Sequence, residues 1–228
     1  MLAAELLLPS SAPPDWTTRD KVFSEAEKAE KRKDSQVARE CLIGIPHEIS
    51  EEAAKSLALE FGSWLVERFG VVVDVALHAP SRHGDERNLH AHLLMTTRQL
   101  NAQGFGAKTR ILDVRQTASL EVEALREKWG TLCNEALGRA SSAERVDHRS
   151  NERRGLLRAP EPKLGVVASA LERRGIATEI GDRFQPERPW QQQTDLFLEH
   201  LFEQPEGLLI LDDVHHAEGA NSDVEECR

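Results

Sequence analysis

The stretch Asn88-Leu-His-Ala-His-Leu-Leu-Met-Thr-Thr-Arg98 follows Val71-Val-Val-Asp-Val-Ala-Leu-His78 across a polar connection that contains Gly84. Both runs are short, apolar and, in the first, β-branched, so they predict two strands joined as a long antiparallel hairpin. Side chains alternate along a strand, so His90 and His92 project from one face, about 7 Å apart along the chain. Leu89, Ala91 and Leu93 then face the opposite way, into a core. His78 closes the preceding strand and falls beside that pair. Three imidazoles from two adjacent strands make a facial metal site with positions left open for water or a phosphate oxygen. Imidazole suits Zn, Mn, Fe, Ni or Cu, so ligand type alone leaves the ion open.

Residues 41–45 (Cys41-Leu-Ile-Gly-Ile45) are a short apolar run stopped by Pro46, which predicts a central strand. Ser50 caps a following helix with Glu51 and Glu52 in its first turn. Ala54, Leu57, Ala58, Phe61, Trp64, Leu65 and Phe69 supply its apolar face, and Gly70 stops it. A charged helix is expected over residues 19–39. After a loop with Gly104 and Gly106, residues 109–113 predict a short strand and 119–140 a second amphipathic helix. Residues 145–149 are expected to be extended, and 165–174 and 189–203 to be helical. Four regions result: an irregular lead-in (1–15), the main domain (16–160), a helical extension (161–205), and a short apolar segment with an acidic, disordered tail (206–228). The fold class is α+β.

The 228 residues carry a formal net charge of −10, which opposes nonspecific nucleic-acid binding by the chain as a whole but permits a local basic surface. Bases cluster at Lys31, Arg32 and Lys33, best read as a solvated helix face, and at Arg145, Arg149, Arg153 and Arg154, which can line a DNA channel. The apolar runs are far shorter than a membrane span. Cys41, Cys133 and Cys227 are widely spaced, with no C-x-x-C pair, which suits a reducing cytoplasm. Glu40, just ahead of the first predicted strand, is a candidate outer partner for a metal histidine. Asp147 and His148 can orient one another, or simply form a turn. His83 is read as exposed in its loop, and His47, His148, His200, His215 and His216 lack a comparable strand setting.

Other chemistries built on H-x-H fit poorly. A histidine-triad nucleotide hydrolase needs a third alternate histidine where Leu94 stands, and a two-histidine phosphoesterase needs H-x-T/S on separate strands. No P-loop, G-x-S-x-G or H-E-x-x-H motif occurs.

With these residues in place, the chain resembles the MobA/MobL relaxases of the HUH class, DNA-nicking enzymes of plasmid mobilisation and conjugation. Residues 88–98 look like that family's metal strand. The run Glu27-Lys-Ala-Glu-Lys-Arg-Lys-Asp-Ser-Gln-Val-Ala-Arg-Glu40, then Ile45-Pro-His-Glu-Ile49, looks like its helix and following strand. Phe105-Gly-Ala-Lys108, Trp129, Asn134-Glu-Ala-Leu137 and Val146-Asp-His-Arg-Ser150 keep the family's order, so the likeness covers roughly residues 5–180. It implies a central antiparallel sheet flanked by helices. It also implies Mn²⁺ or Mg²⁺ held by His78, His90 and His92, and single-stranded DNA at an origin of transfer as substrate, with relaxosome proteins as partners.

The family's nucleophile is a tyrosine from a segment ahead of the charged helix. This chain contains no tyrosine, so the expectation is a relaxase that is truncated or mis-started at its N-terminus, with no catalytic nucleophile of its own. A second expectation is a non-catalytic, metal-containing module that docks DNA or a relaxosome partner. A third is an ordinary α/β domain whose histidines are merely packed.

Overall fold

A computed structural model describes residues 1–80, 87–157 and 164–180, with the side chains of Val166 and Arg173 left aside. The loop holding His83 and Gly84, the expected helix at 189–203, the acidic tail, His200, His215, His216 and Cys227 lie outside the described residues. The strands are β1 (Ala3–Leu7), β2 (Ala38–Gly44), β3 (Val73–His78), β4 (His90–Thr96), β5 (Arg98–Asn101) and β6 (Gly104–Lys108). The helices are α1 (Arg19–Lys28), α2 (Glu51–Phe69), α3 (Arg115–Arg139) and α4 (Gly165–Arg173). The first four strands form one antiparallel sheet in the order β1-β3-β4-β2, and β5 pairs with β6. The architecture is α+β, a four-stranded antiparallel sheet flanked by helices.

The central hairpin has the predicted partners. Val73 stands opposite Met95 and His78 opposite His90. Val75, Leu77, Ala91, Leu93 and Met95 are buried in one cluster with Phe61 and Leu65 of α2 and Trp129, Leu132 and Cys133 of α3. Alternation therefore puts α2 and α3 on one face of the sheet and His78, His90 and His92 on the other. Helix α2 begins at Ser50, whose hydroxyl accepts from Ala53 N, and ends at Gly70 in the left-handed region (φ 67°). Gly62 lets α2 approach the sheet: a Cβ there would lie 2.8 Å from Leu7 Cδ1 and 2.9 Å from Val75 Cγ2.

Several expectations are corrected. The lead-in is not irregular throughout, because Ala3–Leu7 adds to β3 as an outer strand. The charged helix stops at Lys28 rather than running to 39. Glu30 is pulled inward to Arg98 Nε (2.8 Å) and Lys108 Nζ (3.1 Å), and Ala38 and Arg39 are buried in β2. A continuing helix would carry both away from these partners. Strand β2 pairs only with β4 among the described strands, so it is an outer strand and not a central one. Its apolar character reflects burial of one face. Residues 109–113 form a 3-10 turn (Arg110–Leu112) instead of a strand. The buried Arg39 guanidinium donates to Thr109 Oγ1 (2.8 Å) and to Asp113, which bends the chain around it. The loop with Gly104 is a hairpin turn: Gln103 N donates to Asn101 Oδ1 (2.9 Å), and Gly104 adopts φ 105°.

Among the described residues no helix is long and apolar enough to cross a membrane. Cys41 and Cys133 are buried free thiols. Burial pushes Cys41 up to about 12 and raises Cys133 as well. The thiolate is the reactive form, so neither should react with a thiol reagent at neutral pH until the protein unfolds. Peptide-resolved mass spectrometry of labelled protein checks this, and labelling of either cysteine in the native state contradicts it.

Candidate metal centre

Strand register assembles the site. His78 and His90 are direct cross-strand partners, and His92 stands between Ala76 of β3 and Leu42 of β2. Gly44 is paired opposite His90. Small neighbours at Ala76 and Gly44 leave the imidazoles room to lean together. Ring centroids are 5.5 Å apart for His78–His90, 4.7 Å for His78–His92 and 5.3 Å for His90–His92. One ring nitrogen from each lies within 4.8 Å of the other two, and all three residues are half-buried.

Two of the rings are held from behind. His92 Nδ1 is 2.5 Å from Glu40 Oε1, and His90 Nδ1 is 3.0 Å from the carbonyl oxygen of Asn88. Each contact uses Nδ1 and leaves Nε2 as the free ring nitrogen. Glu40 reaches His92 because it lies on the same sheet face, two residues along β2 from Leu42. The hydrogen bond to His92 is the largest cause holding the Glu40 carboxyl below its usual range. Burial is the main cause lowering His78, followed by its two histidine neighbours and the amino group of Met1. His78 is therefore neutral at physiological pH, the form that donates a lone pair. A set of three imidazoles, two held in orientation by oxygen partners, fits a transition-metal or manganese-type divalent cation.

Thus the structure brings together His78, His90, His92 and Glu40. The carbonyl of Asn88 was not anticipated. Its only sequence signal is its place two residues before His90.

The arginines lie elsewhere. Arg145 donates to the carbonyls of Ser142 (2.8 Å) and Glu144 (2.5 Å). Arg149 makes a two-pronged pair with Asp147 (3.0 and 2.7 Å), Arg154 approaches Asp147 at 3.6 Å, and Arg153 pairs with Glu123. Asp147 is held well below the usual carboxylate range, chiefly by its hydrogen bond from Arg149. The Asn134 side chain ties Val146 to α3 through two 2.8 Å bonds, and His148 Nε2 lies 3.3 Å from Glu123. Asp147 and His148 therefore pair with other residues and not with each other. This segment runs along α3, behind the sheet from the histidines, so the fold does not gather Arg145, Arg149, Arg153 and Arg154 around the triad.

The MobA/MobL family matches residues 1–174. The chain belongs to the MobA/MobL family. Relatives of this MobA/MobL chain include the mobilization protein MobL of Acidithiobacillus ferridurans, 34% identical over 76% of this chain and 52% of that protein. The probable conjugal transfer protein TraA of Sinorhizobium fredii is 30% identical over 78% of this chain and 18% of its own length. Mobilization protein A of Escherichia coli is 29% identical over 74% of this chain and 25% of its own. The chain thus spans about half of the first relative and a quarter or less of the other two. A solved structure described as the molecular basis of vancomycin resistance transfer in Staphylococcus aureus superposes with a TM-score of 0.56. It is 30% identical and covers 65% of this chain and 75% of that one.

Proposed function

We propose that this chain forms the metal-holding part of a relaxase, which nicks one DNA strand at a plasmid origin of transfer during mobilisation or conjugation in the cytoplasm. The observation that carries this reading is the three imidazole nitrogens within 4.8 Å of one another, in a chain whose relatives are named mobilisation and conjugal transfer proteins.

In this reading His78, His90 and His92 hold a divalent cation, Mn²⁺ or Mg²⁺. When bound, that ion supplies charge neutralisation for the scissile phosphate in the transition state. Glu40 accepts the Nδ1–H of His92, fixes its tautomer and keeps Nε2 directed at the centre. The Asn88 carbonyl does the same for His90. A hydroxyl nucleophile attacks phosphorus in line, forms a 5′-phosphoryl ester and releases the 3′-oxygen, which leaves as a 3′-OH. In the family that hydroxyl belongs to tyrosine, which this chain lacks. The chain's own residues therefore bind and orient the phosphate, and the nucleophile comes from other polypeptide. Accessory relaxosome proteins are the expected partners.

Glu40→Gln keeps the shape but removes the carboxylate charge behind His92. It should weaken Mn²⁺ affinity roughly 10- to 100-fold, the usual effect of losing such an outer partner. Titration of metal-free protein with Mn²⁺ reads this directly, and an unchanged affinity would remove Glu40 from the site.

The function itself is tested by incubating the 228-residue chain with Mn²⁺ and DNA bearing its origin of transfer. Metal-stimulated binding of the single-stranded origin without a covalent adduct is expected. A covalent protein–DNA adduct formed by this chain alone, or origin binding indifferent to both Mn²⁺ and His90→Ala, overturns the reading.

A further inference from the structure

Four arginines fall within ten residues, yet the triad makes no use of them. Their setting is specific. Arg149 offers Nε and Nη2 side by side to the two oxygens of Asp147, the fork geometry in which a guanidinium also takes a phosphate. Arg153 is presented to Glu123 of α3. Arg145 touches only backbone carbonyls among the described residues, so its charge has no carboxylate on it there. The pairs stand at the surface: the side chains of Arg149 and Arg153 are 48% and 51% exposed. Exposed pairs of this kind are weak and open readily to a competing anion. The segment is also fixed to α3 through Asn134 and Val146, which makes the row of arginines a firm strip and not a floppy loop.

We infer that Arg145, Arg149 and Arg153 form a phosphate track for single-stranded DNA along α3, in which Asp147 and Glu123 occupy the phosphate positions until the DNA backbone displaces them. The inference rests on the proposed DNA-handling function but needs no metal. The track lies behind the sheet from the triad, so it holds the strand away from the scissile phosphate. The carboxylates do two things. They hold the Arg149 and Arg153 guanidiniums in place, and they hold down affinity for bulk nucleic acid in a chain of net charge −10. Asp147 stays ionised across the physiological range, held low chiefly by Arg149, so phosphate exchange and not protonation opens its fork.

The test is fluorescence anisotropy of the full chain with a labelled single-stranded 20-mer in EDTA, across a salt series. Removing EDTA and adding Mn²⁺ in a parallel series reports the metal centre separately. The wild type should bind in EDTA. Arg145→Ala, which breaks no ion pair among the described residues, should reduce the slope of log affinity against log salt by about 0.7, one phosphate contact. Arg149→Ala and Arg153→Ala should each do the same. Asp147→Asn keeps the side-chain oxygen that accepts from Arg149 N and removes the charge. It should tighten binding roughly threefold to fivefold at moderate salt, the size expected from releasing the surface pairs that Asp147 makes with Arg149 and Arg154. In an Arg149→Ala/Arg154→Ala background, which removes both guanidiniums that face Asp147, that gain should vanish. A slope unchanged by Arg145→Ala and Arg149→Ala overturns the track, as does absence of any binding in EDTA. A gain from Asp147→Asn that persists without both Arg149 and Arg154 overturns the displacement, because it then reflects overall charge alone. Each of these failures leaves metal-dependent origin binding standing, whereas loss of that binding alone strikes the proposed function and not the track.

Discussion

Trp129→Ala should lower the unfolding free energy by about 3–5 kcal/mol, the range for truncating a fully buried large aromatic side chain. Trp129 is 0% exposed. Its ring lies 5.2 Å from that of Phe61 at 58°, so it joins α3 to α2 over the sheet. Its indole Nε1 is buried and makes no hydrogen bond among the described residues. Trp129→Phe should therefore be far milder than Trp129→Ala, since it leaves a ring in place and forfeits no polar partner. Urea unfolding of the three proteins, compared by midpoint at constant slope, checks both statements. A loss below about 1 kcal/mol for Trp129→Ala would show that the two helices are not keyed to the sheet through this residue.

Replacing a histidine acts on the other face of the sheet. His90→Ala and His92→Ala should each abolish tight Mn²⁺ binding, because two imidazoles no longer define a facial three-nitrogen site. Neither ring belongs to the buried cluster, and both are only half-buried, so the fold should tolerate the changes. Unfolding midpoints of the metal-free variants should stay close to the wild type, while the stabilisation the wild type gains from added Mn²⁺ disappears. A variant that unfolds at wild-type denaturant without metal and still gains the full stabilisation with metal would remove that histidine from the site.

The hairpin and its histidines were legible because alternation is a strict rule. Once Ala91 and Leu93 face the core, His90 and His92 have no other face to occupy, and His78 follows from the antiparallel pairing. Glu40 was legible only as a candidate, since its contact with His92 depends on β2 lying against β4 in one register. What stayed hidden depended on long-range burial. The inward turn of Glu30 toward Arg98 and Lys108 ends α1 early, although the glutamate-lysine pattern continues beyond it. Buried Arg39 converts a β-like run at 109–113 into a 3-10 turn. The short β1 was masked by the prolines after it, and its place is secured by Leu7 meeting Gly62, a contact no local pattern reveals. The arginine strip was visible as composition, but its position along α3 was not.

In the proposed function three side chains from β3 and β4 act as one cation site. Mn²⁺ bound to protein carrying ¹⁵N-labelled histidine, observed by pulsed electron paramagnetic resonance, tests it most directly. Couplings from three imidazole nitrogens in the wild type, falling to two or to no bound ion in His78→Ala, are the predicted result. Fewer than three nitrogen couplings in the wild type, or a spectrum untouched by the loss of His78, would contradict it.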